Sequence, residues 1–350
     1  MDKKLLDIVI FNKFFVHCWY STFTDIALLN KSYWGWVVDN SFDYSYNPDG
    51  ELDTFNWIFS WFYCHRTDNL FEDIAPIIKA SFAEHKGKIK DLAISRLEKG
   101  EYIFVLCDTY FQPGHYQYKK EHYQHFVLLF GYDDREKVFH AITDWREKNR
   151  FEKFVINYNS MEKSKTTTER HKLKNEVFQK NLAIIEVNNF HDKQYDYRFD
   201  PQRILKNIKV MIEGSKKGNC YSGLSALRIF SQDLEELFAA CKAGNRGTMA
   251  RGMSSAFQLA YFNQVRNMYL IRYIYKQGCL CIGSYEALKD KIQLLKKKWG
   301  ILQMLAIKYY IHSQADTLNS ITRRLFDTWQ EEEHTYLLLE SSIHNYSPEF

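Results

Sequence analysis

The segment that decides the fold runs from Glu121 to Trp145 and reads EHYQHFVLLFGYDDREKVFHAITDW. It contains two apolar runs, 125–131 and 138–144, which are separated by the polar residues 132–137. Two apolar runs around a short polar turn are typical of a β-hairpin, here with a loop slightly longer than the tightest types. The sequence therefore predicts an antiparallel hairpin at the centre of a sheet.

The register of this hairpin would bring together a histidine and a carboxylate. If the turn is centred on the middle of the polar segment, Gly131 lies opposite Val138 and His125 lies opposite Asp144. Directly opposed residues share a face of the sheet, with Cβ atoms about 5 Å apart. At that separation a carboxylate can hold an imidazole in one tautomer and stabilise its charged form. A slip of one residue would break the pairing.

A candidate nucleophile lies near the amino end of the chain. Cys18 precedes an apolar series over 19–27 whose spacing predicts a helix. In the first turn, the positive end of the helix dipole and a nearby imidazolium both favour the reactive thiolate. A lone cysteine beside aromatic residues is usually a small buried hydrophobe. Together with His125 and Asp144, however, it gives the chain order of a papain-like site.

An acyl-transfer site of this kind also needs hydrogen-bond donors for the oxyanion. The amide of Cys18 is one candidate, and the side chain of Asn12, six residues upstream, is a second. Asn12 as a plain strand-end cap is the alternative.

His125 has rivals nearby in the sequence. His115 and His122 could suggest a metal, but spacings of seven and three residues do not put all three histidines on one face of a strand, and no cysteine or carboxylate pattern completes a zinc site. His122 is the other candidate for the catalytic base, and the choice between His122 and His125 depends on where the strand begins. Asp108 follows a continuous apolar strand, where a carboxylate needs a partner or a cleft. A contact with a substrate amine and a structural hydrogen bond are both open for Asp108.

Composition excludes several classes of function. The chain has 350 residues, of which 45% are hydrophobic and 17% aromatic, and 47 basic against 43 acidic residues give a net charge of only +4. This balance predicts no nucleic-acid or membrane-surface footprint. No stretch approaches the roughly 18 uninterrupted apolar residues of a membrane span. Seven irregularly spaced cysteines do not suggest a disulfide framework, so a cytoplasmic protein with reduced thiols is expected.

The order of elements predicts an α+β protein. Strands are expected over Leu5–Phe11, 101–111, the central hairpin, 151–159 and 181–188, with a helix over Phe71–Glu98. The polar run 160–176 is expected to be an exposed excursion, either a loop with helix or a flap. Beyond about Asp200 the spacing predicts helices over Pro201–Glu213, Tyr221–Ala243, Ser254–Gln277, Tyr285–His312 and Ala315–Ile343. Strands followed by helices predict a catalytic domain over 1–195 and an all-helical bundle domain over 196–350.

The chain resembles the butirosin-biosynthesis acyltransferase family, whose amino-terminal domain is related to papain-like cysteine peptidases. The matching features are HCWYSTFTDIALL around Cys18, the YWGW element at 33–36, a strand ending in Asp108-Thr109-Tyr110, and HYQHFVLLFGYDD followed by a strand that ends at Asp144. The likeness in order and spacing covers the first ~190 residues, and a helical carboxyl-terminal half also fits. His17, beside Cys18, is a departure that adds a rival imidazole.

The resemblance implies transfer of an acyl, aminoacyl or peptidyl group from a carrier-protein thioester to an amine, forming an amide in a specialised-metabolite pathway. Cys18 would take the acyl group, His125 would carry the proton, and Asp144 would orient His125. Asp108, Tyr110 and Trp36 are candidates for substrate contacts. No cofactor is expected on the enzyme, and phosphopantetheine would enter on the acyl or peptidyl carrier protein.

Two other functions remain open. A cysteine hydrolase acting on a peptide, amide or thioester would use the same three residues, because only the second nucleophile differs. A non-catalytic binding protein would carry an inert Cys18. For transfer to outrun hydrolysis, water must be kept from the acyl-enzyme, and the aromatic block over 33–62 and the helical domain are candidates for that enclosure. The expected partners are the carrier protein and an amine-bearing small molecule, and a homodimer is left open.

Overall fold

The computed structural model describes residues 2–14, 18–39, 42–48, 62–66, 74–83, 85, 87–144, 150–170, 182–187, 192–240 and 246–344. The chain divides into two compact units. The first unit comprises Met1–Trp34 and Asp68–Tyr197, and the second comprises Gly35–Thr67 and Arg198–Phe350. The predicted functional domains, 1–195 and 196–350, remain a prediction. The compact units differ from them in grouping 35–67 with the carboxyl-terminal residues.

The strands of the described residues form two antiparallel sheets. In chain order they are β1 (Lys3–Leu5), β2 (Phe42–Tyr46), β3 (Phe62–Arg66), β4 (Ile78–Ala83), β5 (Tyr102–Asp108), β6 (Gln124–Asp133), β7 (Val138–Asp144), β8 (Phe151–Asn157), β9 (Leu182–Val187), β10 (Ser215–Lys217) and β11 (Cys220–Ser222). The larger sheet has seven described strands in the order β4-β9-β5-β6-β7-β8, with β1 paired to β6. The smaller sheet has the order β10-β11-β2-β3.

The helices range from short connections to rods of about thirty residues. In chain order they are α1 (Cys18–Ala27), α2 (Trp34–Asp39), α3 (Ile89–Glu98), α4 (Tyr158–Arg170), α5 (Pro201–Glu213), α6 (Gly223–Ala240), α7 (Arg246–Lys276), α8 (Ile282–His312) and α9 (Ala315–His344). Short 3₁₀ turns lie at Lys31–Tyr33, Thr109–Phe111 and Lys193–Tyr195.

In the first unit, helices cover both faces of the larger sheet. Alternate residues of β5, including Val105 and Cys107, share a core with Val127 of β6 and with residues of α3 and α4. On the opposite face, the ring of Phe104 stacks on Phe126 at 4.6 Å and lies 6.4 Å from the ring of Phe23 in α1. Because both faces are covered, every residue of β5 is buried. This explains why β5 is apolar at every position from Tyr102 to Cys107 rather than alternating.

In the second unit, the buried residues of α8 follow a heptad repeat, as in helices that pack side by side. The buried positions follow alternating spacings of four and three residues: Leu288, Ile292, Leu295, Trp299, Leu302, Ala306 and Tyr309. A carboxylate also lies within this core. Glu332 of α9 is 0% exposed, and its Oε1 accepts hydrogen bonds from Tyr44 Oη at 2.9 Å, from Trp299 Nε1 at 2.9 Å and from Gln264.

Several predicted elements are confirmed. The described structure is mixed α+β, and α1 begins at Cys18. Of the five helices predicted in the carboxyl-terminal part, Pro201–Glu213 is found with the predicted bounds and the others are found with ends shifted by a few residues, or by eight at the start of α7. The predicted break around Gly244 lies outside the described residues.

Other predictions were wrong in part. Within the helix predicted over Phe71–Glu98, Ile89–Glu98 is helical, whereas Ile78–Ala83 instead forms a strand that pairs with β9. The first strand covers Lys3–Leu5 and not Leu5–Phe11. The carboxyl-terminal part is not all helical, since the hairpin of β10 and β11 follows α5. Gly214 allows that departure, because it ends α5 with a positive φ of 61° that favours glycine.

Candidate active site

Four strand ends meet at one end of the larger sheet. β5 ends at Asp108 opposite Gln124, the first residue of β6, and β7 ends at Asp144 opposite Phe151, the first residue of β8. Because neighbouring strands are antiparallel, these ends lie side by side. The fold thus gathers Asp108, His125 and Asp144 at this end, although they are widely spaced in the sequence.

His125 and Asp144 form a buried pair. His125 Nδ1 lies 3.2 Å from Asp144 Oδ1, and their side chains are 10% and 7% exposed. The same nitrogen lies 2.9 Å from Thr143 Oγ1. The Thr143 hydroxyl is in turn 3.3 Å from Asp144 Oδ1 and 3.2 Å from the carbonyl oxygen of Phe126. Thr143 can therefore accept from the imidazole and donate to the carboxylate, joining the two groups.

The register predicted for this hairpin was wrong, although the predicted contact is present. Asp133, not Gly131, pairs with Val138, and a β-bulge between Leu129 and Gly131 then shifts the register. Leu128 pairs with Ile142, so the same register continued to the strand end would place Phe126 opposite Asp144. His125 Nδ1 and Asp144 Oδ1 are nevertheless 3.2 Å apart, at the strand ends that meet at this end of the sheet.

The loop over 109–123 supplies further groups around this pair. Tyr123 stacks on His125 with the ring centroids 5.8 Å apart. His115 is buried, and its Nδ1 accepts a hydrogen bond from the amide of Gln117 at 3.1 Å. Burial lowers the pKa of His115 to about 4, against an opposing effect of the nearby Asp144 carboxylate. Burial likewise raises the pKa of Tyr116, as does Asp144. His115 is thus a neutral neighbour of the pair at physiological pH.

Cys18 is the first residue of α1, and no acidic residue lies in the first turn. A thiol at this position gains from the positive end of the helix dipole. The side chain of Cys18 and the rival imidazole of His17 lie outside the described residues. The rest of α1 is anchored by Asp25, whose Oδ1 accepts from the amide of Phe11 at 2.8 Å. Burial holds the pKa of Asp25 well above its usual value.

The side chain of Asn12 hydrogen bonds to the backbone of Phe151, the first residue of β8. Its Nδ2 donates to the carbonyl oxygen of Phe151 at 2.7 Å, and its Oδ1 accepts from the amide of Phe151 at 2.9 Å. This is the strand-end role that the sequence left open for Asn12. It also ties the segment before α1 to the sheet end where His125 and Asp144 lie. A contribution of Asn12 to an oxyanion site remains a prediction.

The three predicted substrate contacts lie in different environments. The side chain of Asp108 is 3% exposed, and its Oδ2 lies 2.7 Å from His122 Nδ1. Its Oδ1 accepts from the amide of Tyr110 at 3.1 Å. The structural hydrogen bond that the sequence left open is therefore present at Asp108. Tyr110 is partly exposed and stacks on His122, whereas Trp36 is 0% exposed and belongs to the second compact unit.

Sequence reasoning missed some members of this cluster. Thr143 gave only a weak signal, a hydroxyl immediately before the carboxylate at a strand end. His115 was considered only as a metal ligand. Within the described ranges, no group of three or more histidine, cysteine, aspartate or glutamate side chains could hold a metal ion. The pairing of His122 with Asp108 depends on how the loop over 109–123 folds back, which has no sequence periodicity.

Comparison with known proteins adds no assignment. No protein-family model matches the chain, and a search of curated proteins finds no match either. Among the helices that the structure describes, none combines the length and the apolar character needed to cross a membrane.

Proposed function

We propose that this chain is a cysteine-dependent acyltransferase. It would move an acyl, aminoacyl or peptidyl group from a carrier-protein thioester to an amine through an acyl-Cys18 intermediate. The observation that carries the proposal is the buried pair of His125 and Asp144, with Nδ1 and Oδ1 3.2 Å apart. The start of α1 at Cys18 and the resemblance of this segment and the hairpin to the butirosin-biosynthesis family support it.

In the first step, the Cys18 thiolate attacks the carbonyl carbon of the donor thioester. The carrier thiolate leaves and takes a proton from the His125 imidazolium, which Asp144 and Thr143 orient through Nδ1. In the second step, an amine attacks the acyl carbon, a base takes its N–H proton, and the C–S bond breaks, so that the amide forms and Cys18 leaves as thiolate. Thioester exchange is nearly balanced and amide formation is downhill, so the cycle needs no ATP. Phosphopantetheine belongs to the donor carrier protein.

The competing function is hydrolysis by the same residues. Transfer requires the amine to reach the acyl-enzyme before water does. Counted over all their atoms, His125 and Asp144 are only 8% and 5% exposed. This burial suits a reaction in which water must be kept from the acyl-enzyme. The experiment therefore measures how the acyl-enzyme partitions between reaction with an amine and reaction with water.

The proposal is tested by intact-protein mass spectrometry after incubation with acyl-pantetheine thioesters. Cys18→Ala removes the nucleophile. Cys281→Ala is the matched control, because Cys281 is exposed at the amino end of α8 and hydrogen bonds with the hydroxyl and amide of Ser284 lower the pKa of its thiol. It therefore resembles Cys18 as a thiol at a helix start.

An acyl adduct on the wild type and on Cys281→Ala, but not on Cys18→Ala, is the expected result. Addition of a primary amine should then discharge the adduct and yield the amide. Discharge at the same rate without amine would establish the hydrolase instead. Absence of an adduct on the wild type with every thioester tested would contradict both enzymatic functions and favour a binding protein.

A further inference from the structure

A second histidine–carboxylate pair lies at the same end of the sheet. His122 Nδ1 is 2.7 Å from Asp108 Oδ2, a shorter separation than the 3.2 Å between His125 and Asp144. The Asp108 side chain is 3% exposed, whereas the His122 side chain is 55% exposed. The buried carboxylate therefore holds one edge of an imidazole that is open to solvent.

Aromatic rings also fix the orientation of the His122 imidazole. The ring of Tyr110 stacks on it with centroids 4.1 Å apart and planes inclined by 17°, and the ring of Phe111 lies 5.8 Å away. Asp108 also caps the turn that carries both aromatic residues, because its Oδ1 accepts from the Tyr110 amide at 3.1 Å. One carboxylate thus positions both the imidazole and its stacking partner. The buried Asp108 carboxylate and the Tyr110 ring therefore hold the imidazole along one edge and one face.

Asp108 and α1 lie on the same face of the larger sheet. Residues two apart on a strand share a face, so Asp108 lies on the face of Phe104. Phe23 of α1 packs near Phe104, with the ring centroids 6.4 Å apart. Phe126 shares this face, because it pairs with Leu106 and stacks on Phe104, and the hairpin register continued to the strand end places Asp144 opposite Phe126. Both carboxylates, Asp108 and Asp144, are thus on the face that α1 covers.

We propose that His122, oriented by Asp108, is the residue that takes the proton from the acceptor amine in the second step. This inference rests on the function proposed above. As the amine nitrogen bonds to the acyl carbon, the C–S bond breaks, Cys18 leaves as thiolate, and the N–H proton passes to Nε2 of His122. With Nδ1 held by Asp108, Nε2 is the nitrogen that exchanges the proton.

The exposure of His122 suits this role. His125 gives its proton to the departing carrier thiolate in the first step and must regain one before the next cycle. His122 takes one proton from the amine in the second step and must release it in the same cycle, and its 55% exposed side chain can release it to solvent. One proton released and one regained restore the thiolate–imidazolium pair, so the cycle balances.

The test separates the two steps. The rate of acyl-Cys18 formation is measured by quenched-flow mass spectrometry with an acyl-pantetheine thioester. The isolated acyl-enzyme is then mixed with ethylamine, and its loss and the amide product are followed. In His122→Gln we expect acylation within about twofold of wild type and aminolysis slowed about 100-fold, the lower part of the range for general acid–base groups. His125→Gln should instead fail at acylation.

Two further variants sharpen the result. Asp108→Asn should slow aminolysis like His122→Gln, and the double variant should be no slower than His122→Gln alone, because both act through one imidazole. His334→Gln, which removes an exposed histidine of α9, should leave both rates unchanged. His122 is itself exposed, so its substitution should not prevent folding.

The outcomes are distinct. Wild-type aminolysis in His122→Gln overturns the inference while leaving the acyltransferase intact. Loss of acylation in His122→Gln also overturns it, because His122 would then serve Cys18 directly. Failure of wild-type enzyme to form any acyl adduct overturns the proposed function, and the inference with it.

Discussion

The hydroxyl of Thr143 lies closer to His125 Nδ1, at 2.9 Å, than the carboxylate of Asp144 does, at 3.2 Å. Thr143 Oγ1 also lies 3.3 Å from Asp144 Oδ1. The threonine therefore links an imidazole and a carboxylate that the strand register does not place directly opposite each other. We regard Thr143 as a positioning residue, because it acts through His125.

Thr143→Val should lower the rate of acyl-Cys18 formation about 2–12-fold, since it removes a hydrogen bond worth roughly 0.5–1.5 kcal/mol without changing side-chain shape. Thr143→Ser keeps the hydroxyl and should restore most of the rate. The measurement is the pH dependence of acylation in both variants. Equal losses in Thr143→Val and Thr143→Ser would mean that the methyl group, and thus packing, is responsible.

Asp144→Asn should have a larger effect, because an amide cannot stabilise the imidazolium and can hold the wrong tautomer. Acylation should fall by about 10²–10⁴-fold, as expected for a group that controls a general acid–base residue. Alkylation of Cys18 by iodoacetamide across pH provides a readout independent of turnover. The variant should need a higher pH for half-maximal alkylation, whereas an unchanged profile would show that Asp144 does not support the thiolate–imidazolium pair.

The sequence was sufficient for those features that depend on local pattern. The hairpin, the helix starting at Cys18 and the five carboxyl-terminal helices all have clear periodicity or turn residues. The register of the hairpin does not, because the bulge between Leu129 and Gly131 lies where β1 pairs with β6, at Leu5 opposite Gly131. That contact joins segments more than one hundred residues apart and leaves no mark on local spacing.

The same limit applies to the site. The pairing of His125 with Asp144 could be predicted because both lie near the ends of paired strands. The pairing of His122 with Asp108 could not, because it depends on a 3₁₀ turn and a loop that returns across the strand end. Tertiary contacts likewise decide that Ile78–Ala83 is a strand, despite helical spacing of its neighbours.

Gly131→Ala should destabilise the first unit. A Cβ at Gly131 would lie 2.6 Å from the carbonyl oxygen of Lys4 and 2.6 Å from Leu5 Cδ2, so β1 would have to shift. Overpacking of this kind costs about 1–3 kcal/mol. Urea unfolding followed by intrinsic fluorescence should show the loss. Gly283→Ala is the control, since nothing lies within 4 Å of a Cβ there and α8 should be unchanged or slightly stabilised.

Glu332→Gln should stabilise the second unit above neutral pH. Burial raises the pKa of Glu332 to about 7, although hydrogen bonds from Trp299 and Tyr44 oppose this. The folded protein therefore holds a proton that the unfolded chain releases above pH ~4.5. The stability that the protonated Glu332 contributes is fully present below that pH and is lost as the pH rises through about 7. A neutral isosteric amide keeps an oxygen acceptor and does not ionise.

The free energy of unfolding of Glu332→Gln minus that of wild type should thus grow between pH 4.5 and 7 and reach roughly 1–3 kcal/mol by pH 8. Glu331→Gln is the matched control on the same helix. Glu331 Oε1 lies 2.9 Å from Lys291 Nζ on a partly exposed surface. Glu331→Gln removes this ion pair and should lower the free energy of unfolding by up to about 1 kcal/mol, the opposite sign to the change expected for Glu332→Gln. A difference for Glu332→Gln that does not vary with pH would show that this buried carboxyl keeps an ordinary pKa.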